Sequence, residues 1–119
     1  MNIRSLAKGL RYCGEAKGKR QTYFVFESGA GYVVMSASRT KRASGYFNLV
    51  RRDAVNRIRR SYAGRQDVTA KQLATRSRGA GVRDALRALN ILYVLVAIGA
   101  ARRDDRYQDT RLHFNIAVR

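Results

Sequence analysis

The apolar residues of this chain change their spacing near its middle. Up to Val50 they come in short runs, Thr22-Tyr23-Phe24-Val25-Phe26, Tyr32-Val33-Val34-Met35-Ser36 and Tyr46-Phe47-Asn48-Leu49-Val50, rich in aromatic and β-branched residues. Such runs predict strands, and Ser28-Gly29-Ala30-Gly31 between the first two predicts a hairpin turn. Three short strands make a small meander that needs another layer to cover one face. Ahead of them, Ile3, Leu6, Ala7 and Leu10 share one face of an expected short helix, whose exit through Gly14 and Gly18 reads as loose.

From Arg51 the spacing becomes helical. Ala54, Val55, Ile58 and Tyr62 repeat on one side, Arg52, Arg57, Arg59 and Arg60 are expected outside, and Gly64 ends the element. Thr69 and Gln72 have the capping-box spacing, in which two side chains satisfy each other's free backbone donors, so a second helix is expected to begin at Ala70. A glycine-rich turn, Ser77 to Gly81, leads to a long helix over 82–98. Val82, Leu86, Leu89, Tyr93 and Val96 share one face of it, and Arg83, Arg87 and Asn90 share another. Its second half is apolar nearly all round and should be enclosed, which leaves only the first half to meet a partner. Gly99 suits the left-handed residue that closes a helix. Residues 100–116 read as a hairpin with a basic tip, returning through Leu112, Phe114 and Ile116. The chain is therefore expected to be α+β: an N-terminal extension with a β-hairpin or meander over 1–50, packed on a three-helix unit with a C-terminal β-hairpin over 51–119.

Charge narrows the partner. Among 119 residues, 25 Lys and Arg face 8 Asp and Glu, a net charge of +17, while 45% hydrophobic content suffices for a folded domain. An excess of that size calls for a polyanion. One Cys and one His exclude a disulfide framework and make structural zinc an unsuitable reading, so no metal and no cofactor is expected. The apolar run 91–101 is too short for a bilayer, and Arg4, Lys8 and Arg11 interrupt any secretory core near the start. A soluble, cytoplasmic, nucleoid-associated protein with no membrane partner is the expectation, with an organelle transit peptide as the alternative for the Arg-rich start. No nucleophile, base and orienting group assemble, so no enzyme is expected.

The order helix, Thr-capped short helix, glycine turn, long helix and basic hairpin over 51–116 resembles the winged-helix family of DNA-binding domains. It rests on Asp67-Val68-Thr69-Ala70-Lys71-Gln72-Leu73-Ala74, on the apolar helix from Leu89 to Ala100, and on the hairpin after it. The turn is looser, and the third helix longer and more apolar, than the family's common pattern. The resemblance implies double-stranded DNA as partner, in a transcription regulator or chromosome-organising factor. It implies a recognition helix at 82–98, which would bring Arg83, Arg87 and Asn90 to base edges, with Arg76, Ser77 and Arg78 at its approach. Arg102, Arg103, Arg106 and Arg111 would occupy the wing over 100–116. Lys71 and Gln72 would meet a phosphate. Apart from the resemblance, Arg39, Lys41 and Arg42 form a basic loop that reads equally as connector or phosphate clamp. Asp104, Asp105 and Asp109 supply counter-charge, so part of the wing tip reads as self-paired. An RNA-binding or ribonucleoprotein role and a basic structural subunit of a larger complex are the alternatives, and a homodimer through the long helix or the hairpin is expected for a DNA reader this small, which gains specificity by pairing two half-sites.

Overall fold

The computed structural model describes residues 9–19, 21–37, 45–76, 84–106 and 111–118. Residues 3–8 of the expected N-terminal helix, the basic loop with Arg39, Lys41 and Arg42, the glycine turn with Ser77 and Arg78, and Arg83 lie outside these residues. The fold is α+β. Strands β1 (Arg11–Lys17), β2 (Thr22–Ser28), β3 (Gly31–Ala37) and β4 (Gly45–Arg51) form an antiparallel meander in sequence order. Helices α1 (Arg52–Ser61), α2 (Ala70–Arg76) and α3 (Ala85–Ala97) follow, and then β5 (Ala101–Arg103) pairs with β6 (Phe114–Ile116).

The meander has four strands where the sequence suggested three. The segment expected to be a loose exit is β1, which pairs along β2 with a bulge between Tyr12 and Gly14. A side chain at Gly14 would meet the carbonyl oxygen of Ala97 at 2.6 Å, so glycine is what lets the end of α3 lie against this strand. Strand alternation sorts the sheet's apolar residues into two faces. Val25, Tyr32, Val34 and Val50 enter the core shared with the helices, and Phe26, Val33 and Met35 form a second cluster with Leu10 and Phe24. Phe47 and Leu49, on the edge strand β4, remain 64% and 77% exposed.

On α1 the buried residues are Ala54, Val55 and Ile58, as the spacing predicted. Arg52 departs from expectation. It is half-buried, its guanidinium donates to the carbonyls of Ser28 (2.8 Å) and Gly29 (3.2 Å), and it lies over the Tyr32 ring, so it ties α1 to the β2–β3 turn.

Most of α3 is core. Ala88, Asn90, Ile91, Leu92, Tyr93, Val94 and Leu95 are buried, and Tyr93 stacks on Tyr23 of β2 with ring centroids 4.4 Å apart. The helix starts later than the expected 82–98. Asp84 caps it by accepting from the Arg87 N–H at 2.8 Å. At the other end the Ala100 N–H reaches the Leu95 carbonyl (2.7 Å), the Gly99 N–H reaches that of Val96 (3.1 Å), and Gly99 has φ +81°. This is the Schellman closure that places glycine just past a helix. Residues from both 1–50 and 51–119 contribute to one core, so the extension packs on the helical half.

Strand β6 is paired on both edges. Val68 and Phe114 exchange N–H···O bonds of 2.8 Å each, and the Ile116 N–H donates to Arg65 at 2.8 Å. Asp67, in the left-handed region at φ +59°, accepts from the His113 ring at Nδ1, and its own N–H donates to Asn115 Oδ1 at 3.0 Å. The chain's one histidine is thus buried and holds the α1–α2 connection to the returning hairpin strand. Among the described residues no helix is long and apolar enough to cross a membrane.

Candidate nucleic-acid interface

The short helix α2 owes its start to the capping box. The Thr69 N–H donates to Gln72 Oε1 at 3.3 Å, and the Gln72 N–H donates to Thr69 Oγ1 at 3.2 Å. Leu73 anchors the helix in the core, and the opposite side carries exposed Lys71, Gln72, Thr75 and Arg76. The bridge between Val68 and Phe114 brings the returning hairpin segment alongside. As a result Lys71, Gln72 and Arg76 line one concavity with Arg111, which is exposed on the returning side of the hairpin. Four of the expected site residues therefore converge. Asp67 and His113, which also line it, are engaged with each other.

The other expected residues that are described go elsewhere. Asn90 was expected on the exposed face of the long helix but is 4% exposed, and its Nδ2 donates back to the Leu86 carbonyl at 3.0 Å. The reason is tertiary: the sheet closes over this part of α3. Asn90 sits at the wall of a separate groove, with Arg87, Leu86 and β4. Leu86, expected on the apolar face, is 62% exposed, because the buried strip runs through Ala88, Ile91, Leu92 and Leu95 instead.

In the hairpin, Arg102 is exposed and lines a shallow concavity with Gly64 and Gly99. Arg103 is turned to the protein, its Nη1 donating to the carbonyls of Lys17 (3.3 Å) and Gly18 (3.1 Å). That pins β5 to the β1–β2 turn. Arg106 grips buried Asp104 through Nε (2.9 Å) and Nη2 (2.6 Å). The Arg106 hydrogen bonds, with help from Asn115, hold the Asp104 carboxyl well below the usual carboxylate range. The self-pairing expected at the tip is realised in this pair. No comparison with protein-family models, curated proteins or solved structures finds a match to this chain.

One cation of the site escaped the sequence reading. Lys19, in the β1–β2 turn, lines a second cavity that shares Thr69, Lys71 and Arg111 with the first. The signal was the run Gly18-Lys19-Arg20, but nothing local ties it to a helix 50 residues on. Burial, and next the neighbouring Tyr23, push the Tyr93 phenol in this cavity's wall far up, so it remains a neutral hydrogen-bonding group. Among the described residues no three His, Cys, Asp or Glu side chains come together as metal ligands.

Proposed function

We propose that the protein binds double-stranded DNA through a winged-helix type of unit in residues 51–116, as a transcription regulator or chromosome-organising factor. The observation that carries the reading is the convergence of Lys71, Arg76 and Arg111 on one concave surface in a chain of net charge +17. Three helices followed by a β-hairpin, with Val68 bridging to the returning strand, support the winged-helix comparison. In this reading Lys71, Arg76 and Arg111 neutralise backbone phosphates. The Gln72 carbonyl oxygen is committed to the cap, so its amide NH2 is the group left to donate. The first turn of α3 is the most exposed part of that helix and the part open to a groove, since most of the rest is buried.

Fluorescence anisotropy over a salt series, with random duplex, enriched duplex and structured RNA side by side, tests this. Lys71→Ala with Arg76→Ala should lower affinity for every duplex and reduce the slope of log K against log salt by about two, near 0.9 for each phosphate no longer neutralised. An unchanged slope would remove these residues from the interface. Tighter binding of structured RNA at equal salt would overturn duplex DNA as the partner.

A further inference from the structure

The second cavity has a chemistry that phosphate contact alone does not use. Its volume is about 440 Å³, within the range of small-ligand sites. The wall is apolar and aromatic: Tyr23 and Tyr93 stack on each other there, with Leu89 and Leu112 beside them. Among the described residues every charged one lining it is a cation, and the three come from separate parts of the chain: Lys19 from the β1–β2 turn, Lys71 from α2 and Arg111 from the hairpin. Among the described residues no carboxylate shares the lining. Gln21 adds an amide, whose Nε2 donates to the Tyr23 hydroxyl at 3.2 Å. An aliphatic ligand would match only the aromatic wall, and a bare phosphate only the cations.

We infer that this cavity binds a single nucleotide, with its base against the Tyr23, Tyr93 and Leu89 wall and its phosphate between Lys71 and Arg111. Those two cations also line the neighbouring polar concavity, so a phosphate held by them lies where the two hollows meet. The nucleotide has two sources: a free nucleoside phosphate, or an unpaired base turned out of a bound strand. Only the second source rests on the DNA-binding reading.

The probe is 2-aminopurine, whose fluorescence falls when it stacks on an aromatic ring. It is supplied as the deoxynucleoside monophosphate, as one unpaired residue in a duplex, and as a paired residue in an otherwise identical duplex. The unpaired duplex should bind about tenfold tighter than the paired one and lose fluorescence, since base–aromatic stacking is worth about 1–3 kcal/mol. Leu89→Trp, which crowds the base's place against the tyrosines, should bring the ratio of the two affinities to about one. Tyr23→Leu, which keeps the wall apolar but removes the stacking ring at a half-buried position, gives the same readout should the tryptophan variant fail to fold. Saturable quenching of the monophosphate without any gain for the unpaired duplex also supports the site and assigns it to free nucleotide. Equal duplex affinities with no quenching of any probe, or a ratio that survives both substitutions, would overturn the inference. A monophosphate that binds while no duplex does would sink the DNA-binding reading and leave the cavity's assignment standing.

Discussion

Helices α2 and α3 stand side by side, and they divide the work opposite to what their lengths suggest. The longer α3 has seven of its thirteen residues buried and serves mainly as a packing surface for the sheet and the other helices. The shorter α2 buries only Leu73 among its seven residues and presents Lys71, Gln72, Thr75 and Arg76 outward. A helix used on most sides for packing has little side left for a ligand, whereas one held by a single anchor and a cap keeps its polar face available. Length and hydrophobicity therefore mark the scaffold here, and the polar short helix marks the candidate interface.

The largest expected effect tests α3 as scaffold. Leu92→Ala should destabilise the protein by about 2–5 kcal/mol in urea unfolding, through lost burial and the cavity left behind. The fraction that stays folded should bind duplex DNA with unchanged affinity. Loss of binding beyond loss of fold would return α3 to the role of reader. Smaller is the effect of uncapping α2. Thr69→Ala should cost about 1 kcal/mol and weaken DNA binding as well, because the same cap orients Lys71. Unfolding and anisotropy measured on one preparation separate the two losses. Smallest of all, Leu86→Ala at the exposed start of α3 should change stability by no more than about 0.5 kcal/mol. A larger loss would show that the helix's first turn is packed after all.

Local chemistry was legible in the sequence. The capping box, the glycine closure at Gly99, the strand runs around Tyr23, Val34 and Leu49 and the enclosed second half of α3 are each set by neighbours within a few positions, and each is present. The Asp104–Arg106 pair was legible for the same reason. What was illegible depends on residues far apart in the chain. Strand β1 hid because Gly14 and its flanking charges blur the alternation, and only the Ala97 backbone across the core explains the glycine. Asn90 looks like a base-reading residue until the sheet is in place over it. Arg103 looks like a wing contact until the β1–β2 turn offers its carbonyls. For the candidate site, α2 could be read from its polar face, while Lys19 and Arg111 joined it only through the meander and the Val68–Phe114 bridge.

The backbone approach at Gly14 bears on how the protein can be dissected. With the strand lying directly on the end of α3 and Tyr23 stacked on Tyr93, the first 50 residues are a wall of the helical half and cannot be shed like a tag. A truncation that begins at Arg51 would uncover Tyr93 and Leu95 to water, and its lost activity would record a collapsed scaffold and say nothing about which half touches the ligand. Functional mapping in this chain therefore belongs to point substitutions at exposed positions, where the scaffold survives the question being asked.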